Sequence, residues 1–201
     1  PLETYTLEVQ TTPDTASRKR VAIRLDQPTS YLSGSRASLK TVDLGDGRKT
    51  GYLHLWCVLS PEFYALWHDA VTQRWKDVDA MILDLRGRGG DAGIALQIIQ
   101  DIANCPKPVV LLIDRFTASA KELISFSAKK AGTARLVGET TTGAFIAVGF
   151  ESLSDGSHLE YPGRDVSSLT GGYTIEGRGV DPDVKVDFAF RYLGGVDPVY
   201  E

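Results

Sequence analysis

The sequence has little of what a metal-based or disulfide-based protein needs. Its 201 residues include two cysteines, three histidines and one methionine. Two cysteines, Cys57 and Cys105, are too few for a disulfide framework or a structural zinc site. No His-Glu-x-x-His spacing occurs either, so a catalytic metal is not expected.

Positive charge and long apolar runs are also scarce. The 22 basic and 26 acidic side chains give a net charge of −4, whereas a nucleic-acid-binding surface needs a basic stripe. No apolar run approaches the roughly 20 residues that cross a bilayer. We therefore expect neither nucleic-acid binding nor a membrane span. The chain opens at Pro1 without an initiator methionine or a signal-peptide pattern, as expected of a mature or excised form.

Three stretches of different pattern divide the chain. Residues 1–30 predict two strands, at 4–11 and 19–25, because apolar and polar side chains alternate there. Residues 31–49 are rich in Ser, Gly and Asp, which predicts a connector. Residues 50–201 form the remaining and largest unit.

From residue 50 onward, continuous apolar strands alternate with amphipathic helices. The pattern predicts strands at 51–59, 80–85, 109–113 and 134–138. It predicts helices that begin at Ser60-Pro61 and that span 92–103 and 119–131. This alternation is typical of an α/β fold with a mostly parallel sheet and flanking helices. Beyond residue 143, alternating strands around Ser154-Asp155-Gly156-Ser157 predict an antiparallel β-hairpin region.

Ser119 is the first candidate for chemistry. It lies where a buried strand gives way to a helix, so its hydroxyl can project and helix amides can face a developing oxyanion. The same residues, Ser119-Ala120-Lys121-Glu122, also fit a Ser-x-x-Glu capping box, which needs no reaction. The spacing alone leaves both interpretations open.

The glycine-rich loop Arg86-Gly87-Arg88-Gly89-Gly90 is the second candidate. Glycines after a strand let backbone amides approach a ligand or an oxyanion closely. The loop lacks the Gly-Lys-Ser/Thr and Gly-x-Gly-x-x-Gly patterns of phosphate-binding loops. An oxyanion hole and a plain tight turn both fit it.

Four ordered motifs carry a resemblance to a known family. They are Asp84-Leu85-Arg86-x-x-Gly89-Gly90, Asp114-Arg115-Phe116-Thr117-Ala118-Ser119-Ala120-x-Glu122, Gly138-Glu139-Thr140-Thr141-Thr142-Gly143 and Glu176-Gly177-x-Gly179-Val180-x-Pro182-Asp183. Together, across residues 48–190, they resemble the C-terminal processing (tail-specific) serine proteases. That family's fold resembles the crotonase and caseinolytic-protease folds. Residues 1–30 resemble the last strands of a PDZ-like peptide-binding domain, which implies that the rest of such a domain precedes Pro1.

The resemblance implies which residues would act. Ser119 would be the nucleophile, because it is the serine of the Ala-Ser-Ala turn. The oxyanion donors would be the amide of Ala120 and one from Gly89 or Gly90. No metal or organic cofactor is implied.

The resemblance also bears on the general base. Many members carry a lysine directly after the glycine that is Gly143 here, but Ala144 stands at that position. The tricorn-like branch of the family instead implies His54 as the base and Glu176 as the carboxylate that orients it. An imidazole has an ordinary pKa suited to this work near neutrality.

Besides His54, the chain has two more histidines and several lysines. His54 also fits a structural histidine in a buried strand, and His158 is the other base candidate. The remaining ones are expected on solvated helix faces: His68, Lys121, Lys129 and Lys130.

The sequence therefore predicts a serine endopeptidase, or carboxyl-terminal processing protease, that acts on peptide or protein substrates through a Ser119 acyl-enzyme. A non-catalytic peptide-binding or scaffold protein of the same fold is the alternative. A crotonase-like acyl-thioester enzyme is a third possibility. The resemblance suggests a periplasmic or secreted location and leaves the formation of a homo-oligomer open.

Overall fold

The computed structural model describes residues 4–10, 12–24, 30–186 and 197–200. Its strands are β1 (Thr4–Gln10), β2 (Arg18–Arg24), β3 (Lys40–Asp43), β4 (Lys49–His54), β5 (Ala80–Asp84), β6 (Val109–Ile113), β7 (Arg135–Gly138), β8 (Ala147–Ser152), β9 (His158–Arg164) and β10 (Val184–Lys185). Its α-helices are α1 (Ser30–Ser38), α2 (Pro61–Asp69), α3 (Ala92–Asn104) and α4 (Ala120–Ala131).

A six-stranded sheet forms the centre, in the order β10-β7-β6-β5-β4-β3. Strands β4 to β7 and β10 run parallel to their neighbours, and only β3 pairs in the antiparallel direction, with β4. The parallel strands are joined by α2, α3 and α4, which pack side by side. The predicted α/β fold with a mostly parallel sheet is confirmed. Because the carboxyl ends of parallel strands meet at one edge of the sheet, the loops after β4, β5 and β6 lie together.

Two antiparallel hairpins complete the architecture. Strands β8 and β9 pair around the predicted turn, with Ser152 opposite His158. Strands β1 and β2 pair from Thr4↔Arg24 to Gln10↔Arg18. The ends that sequence patterning gave these first two strands, at residues 11 and 25, lie outside the described residues.

Apolar side chains of the sheet and helices form one core. Helix α3 contributes Ile94, Ile98 and Ile102, which recur at helical spacing and are buried. The rings of Trp67 and Trp75 meet edge to face with centroids 6.2 Å apart. The Trp75 ring lies so close to β4 that a Cβ at Gly51 would be 2.3 Å from it. Only a glycine fits under this indole.

Two stretches differ from the sequence prediction. The strand expected over 51–59 ends at His54, because the chain then turns to pair Val58 with Gly90. The expected connector at 31–49 contains most of α1 and all of β3, and β3 is an edge strand of the central sheet. The division of the chain into domains at these points stays a prediction.

Within the described ranges, no helix is both long and apolar enough to cross a membrane. In the same residues, no group of three or more His, Cys, Asp or Glu side chains could hold a metal ion.

Candidate active site

Ser119 has an unusual backbone conformation. Its φ is 54° and its ψ is −122°, and it is the one non-glycine residue with positive φ in the described part of the chain. Such a conformation costs about 1–3 kcal/mol and persists only where surrounding contacts impose it. Here the Ser119 amide donates to the Ala144 carbonyl at 3.0 Å and to Glu122 Oε2 at 2.9 Å.

Glu122 organises the turn around Ser119. Its side chain is fully buried. Besides the Ser119 amide, its carboxylate accepts the amides of Gly143 (2.7 Å) and Ala144 (3.0 Å) and the hydroxyl of Thr141 (2.6 Å). The capping-box prediction anticipated only the first of these bonds. Through Glu122, the loop after β7 is fixed against the turn that carries the candidate nucleophile.

The glycine loop packs directly against that turn. A Cβ at Gly89 would lie 2.6 Å from the Ala118 carbonyl oxygen and 2.8 Å from Ser119 Cβ. Around Gly90, the Val58 amide donates to the Gly89 carbonyl and the Asp91 amide donates to the Val58 carbonyl. In an extended strand the amide of the residue between them points to the opposite side. The Gly90 N–H therefore points away from Val58.

The amides of Gly90 and Ala120 make no hydrogen bond within the described ranges. Both residues line one cavity of about 250 Å³ together with Ser119. The rest of its wall is mostly apolar. It comes from α4, from the start of β8 and the residues just before it, and from the segment after β9: Leu123, Phe145, Ala147, Val148, Val166 and Leu169. Asp91 also lines it, and its Oδ1 accepts the Ile94 amide as the cap of α3. The sequence-predicted Ser119, Ala120 and Gly90 are thus brought together.

His54 lies at the end of β4 and is 9% exposed. Its Nε2 is 3.1 Å from the Arg86 carbonyl oxygen and 3.9 Å from Asp84 Oδ1. Because a carbonyl only accepts, Nε2 is assigned the proton and Nδ1 is the basic nitrogen. The ring stacks on Trp56 at a centroid distance of 4.0 Å. Burial lowers the pKa of His54 below its usual 6.5, and the Asp84 carboxylate opposes this shift.

Glu176 has partners other than the expected one. Its Oε2 accepts the amides of Phe145 (2.5 Å) and Ile146 (2.8 Å). Among the described residues no hydrogen bond joins His54 to Glu176 or to Ser119. The geometric expectation of a bonded Ser119–His54–Glu176 chain is therefore not met: backbone groups bind Nε2 of His54 and Oε2 of Glu176. The catalytic roles of His54 and Glu176 stay predictions.

Two other histidines lie apart from the cavity. His158 contacts the Ser152 hydroxyl on the exposed β8–β9 hairpin. His68 pairs with Asp101 at 2.9 Å on α2. Neither residue lines the cavity beside Ser119.

The placement of Lys121 corrects the sequence analysis. Instead of lying on a solvated helix face, its side chain is fully buried. Its Nζ donates to the carbonyls of Leu55 (2.5 Å) and Arg86 (3.3 Å). Burial lowers its pKa to about 8. One feature of the sequence could have revealed this burial. A lysine in the first turn of a helix lies at the positive end of the helix dipole, where a cation is electrostatically unfavourable.

The loops behind the site also hold a buried ion pair. The fully buried Asp84 accepts from the Arg86 guanidinium and, at 2.8 Å, from the Tyr52 hydroxyl. Arg86 also binds Asp197 near the end of the chain at 2.6 Å. These contacts fix the start of the glycine loop.

Comparisons with known proteins find relatives of this chain in sequence and in fold. Residues 100–186 match peptidase family S41. The tricorn protease of Thermoplasma acidophilum is 26% identical over 198 residues, covering 86% of this chain and 18% of the relative.

Two solved structures share the fold. A photosystem II D1 C-terminal processing protease superposes with a TM-score of 0.62 at 20% identity, covering 86% of this chain and 52% of that one. The tricorn protease crystal structure gives 0.66 at 21% identity, covering 91% and 20%. The chain thus spans only part of the length of these relatives. The predicted resemblance to the C-terminal processing serine proteases is confirmed.

Proposed function

We propose that this chain, a relative of peptidase family S41, is the catalytic part of a serine endopeptidase of the carboxyl-terminal processing type. The observation that carries the proposal is the cavity that Ser119 shares with the unpaired amides of Gly90 and Ala120 in the described structure. A strained turn at a helix start presents the serine hydroxyl, and two amides beside it suit a tetrahedral oxyanion. Acyl transfer requires both of these features, a nucleophile and an oxyanion site.

The reaction proceeds through an acyl-enzyme. Ser119 Oγ attacks the peptide carbonyl carbon, and the amides of Gly90 and Ala120 bind the resulting oxyanion. A base takes the serine proton and returns it to the departing amine, after which water attacks the ester. His54 is the proposed base, and its free Nδ1 lone pair is the acceptor.

Assembly of the base with Ser119 requires a local rearrangement. His54 is held by the Arg86 carbonyl, and Glu176 is held by the amides of Phe145 and Ile146. Catalytic contacts in ligand-free sites are often loose and tighten on substrate binding. We therefore assign the described arrangement to a resting state. Substrate binding would then bring Glu176 and His54 together with Ser119.

The substrate follows from the cavity walls. Apolar side chains surround most of the space next to Ser119, and Asp91, the one charged residue among the described lining, already caps α3. A peptide side chain seated there loses water most favourably if it is itself apolar. Peptides with an apolar residue at the cleaved bond are the proposed substrates.

A fluorophosphonate probe tests the nucleophile directly. The probe should label the wild-type chain at Ser119, and Ser119→Ala should abolish both labelling and peptide cleavage. Ser127→Ala, on the same helix, serves as the matched control and should label normally. Comparable cleavage by Ser119→Ala would contradict the proposal.

A non-catalytic peptide-binding protein is the second candidate. It is favoured by the separate partners of His54 and Glu176 and by Ala144 at the position of the lysine base. A chain that fails to react with the probe but binds apolar peptides at this cavity would establish this second candidate.

A further inference from the structure

We propose that Lys121 is a positioning residue, whose buried ammonium clamps the loops after β4 and β5 to the helix that carries Ser119. The inference rests on the proposed function, because the clamp would set the distance between the nucleophile and the Gly90 amide. Neither the family motifs nor the proposed mechanism gives Lys121 a role.

The location of Lys121 is unfavourable for a cation on two counts. Its side chain is completely removed from solvent, and burial of an ammonium without partners is expensive. Lys121 is also the second residue of α4, near the positive end of the helix dipole. A methionine or leucine would fill this space without either cost, so the charge itself needs an explanation.

The contacts of Nζ supply that explanation. Its two acceptors belong to different loops: Leu55 follows β4, and Arg86 opens the glycine loop after β5. Farther along, the same loops are joined by the bonds that Val58 makes to Gly89 and Asp91. Lys121 therefore ties both loops to α4 at their base, and the Val58 bridge ties them to each other near the cavity.

The proposed chemistry is sensitive to the position that this clamp controls. Gly89 packs on Ser119 with no room for a Cβ, so the loop and the turn have to move together. Loss of one oxyanion donor lowers kcat by about a hundredfold to a thousandfold. A misplacement of about 1 Å has a comparable effect.

The clamp also reaches the candidate base. The Arg86 carbonyl that accepts from Lys121 Nζ is the same oxygen that faces His54 Nε2. Lys121 therefore fixes the acceptor that sets the tautomer of His54. One buried cation connects the nucleophile's helix, the oxyanion loop and the imidazole.

The clamp should respond to pH. Titratable groups act on this ammonium from the elements packed around it: His54 on β4, Cys57 in the loop after it, Asp84 on β5 and Asp114 after β6. With a pKa of about 8, Lys121 keeps its charge below that pH and loses it above. Charge-assisted hydrogen bonds are about twice as strong as neutral ones, so deprotonation weakens the clamp.

The test compares Lys121→Met and Lys121→Arg with a control variant, Lys130→Met. Lys130 is an exposed lysine on the same helix. In Lys121→Met, kcat and the rate of fluorophosphonate labelling should fall by about 30-fold to 100-fold, with KM within about twofold. Amide hydrogen exchange over 86–91 should accelerate, while exchange in β5 and β6 does not. The wild-type rate should decline above about pH 8, and this decline should be absent in Lys121→Arg because a guanidinium keeps its proton.

Several outcomes would overturn the clamp. They are a kcat within twofold of wild type in Lys121→Met, unchanged exchange over 86–91, and an alkaline decline that persists in a folded Lys121→Arg. If Lys121→Arg does not fold by circular dichroism, the Lys121→Met results decide. If the wild-type chain neither labels nor cleaves, the proposed function fails, and the exchange measurement still decides whether Lys121 holds the loop.

Discussion

At the scale of single residues, Ser119 combines an unfavourable backbone conformation with the proposed nucleophile. Its positive φ is imposed by bonds to Ala144 and Glu122. Glycine adopts positive φ without steric penalty, whereas alanine does not. Conformation and chemistry can therefore be separated by substitution.

Both Ser119→Gly and Ser119→Ala should abolish turnover, because both remove the hydroxyl. Ser119→Gly should nevertheless be the more stable of the two by about 1 kcal/mol, since it relieves the strain. Urea unfolding of the two variants measures the difference. Equal or reversed stabilities would show that the turn is not strained.

His54 gives the second prediction at this scale. Because burial lowers its pKa, the neutral and basic form persists below pH 6.5. The acid limb of kcat/KM should therefore have its midpoint below 6.5, and it should vanish in His54→Ala along with most of the activity. A pH–rate profile of the two proteins checks this. An acid limb that is unchanged in His54→Ala would exclude His54 as the base.

Sequence analysis predicted the residues whose roles depend on local patterns. Ser119, Ala120 and Gly90 follow from motifs and from the strand–turn–helix pattern, and the structure brings them together. The burial of Lys121 and three of the four bonds of Glu122 depend on loops distant in the chain, such as 141–144. No local pattern encodes those contacts, so Lys121 was expected in solvent and Glu122 only as a helix cap.

At the scale of elements, the glycine loop is determined by backbone contacts. A Cβ at Gly90 would lie 2.4 Å from the Val58 carbonyl oxygen, an atom that cannot rotate away. A Cβ at the nearby Gly93 would meet only the Asp91 side chain, at 3.0 Å. Gly93→Ala is therefore a suitable control for Gly90→Ala.

Gly90→Ala should displace the loop and lower kcat by about a hundredfold, the scale of one lost oxyanion donor. Gly93→Ala should keep kcat near that of wild type, because alanine suits the helix interior better than glycine. Steady-state kinetics of both variants measure the contrast. A fully active Gly90→Ala would remove the Gly90 amide from the proposed oxyanion site.

The sequence predicted three of the parallel strands, β5, β6 and β7, closely because each is a continuous apolar run. Strand β6 was predicted with its observed ends, and β5 and β7 to within a residue. Strand β3 was missed because its four residues, Lys-Thr-Val-Asp, are mostly exposed and have little apolar pattern. Its pairing with β4 is a tertiary contact, and that pairing defines it as a strand.

At the scale of the whole molecule, Lys121 links stability to pH. The folded chain holds this amine with a pKa of about 8, whereas its ordinary value is 10.5. Between these values the unfolded chain binds one more proton than the folded chain, so the free energy of unfolding rises with pH. Below about pH 8 both states are protonated, and the full cost of burying the charge applies.

Relative to Lys121→Met, the wild-type protein should gain about 1.5 kcal/mol of unfolding free energy between pH 8 and pH 9.5. Taking the difference between the proteins cancels other groups that titrate in this range. Urea unfolding at several pH values measures it. A constant difference would show that the amine titrates as it does in water. Activity should change in the opposite direction, since the same deprotonation weakens the loop clamp.

Ser119 and His54 are held in place by different direct contacts. Glu122 and Ala144 hold the serine, whereas the Arg86 carbonyl and the Trp56 ring hold His54 on a different strand. Under the proposed function, a lineage can therefore exchange its proton acceptor without rebuilding the turn that holds Ser119. Ala144 is exposed, and it stands at the position where the family resemblance implies a lysine in many members. The framework is thus open to evolution between imidazole and amine chemistry through a few substitutions, and an engineer can follow the same route.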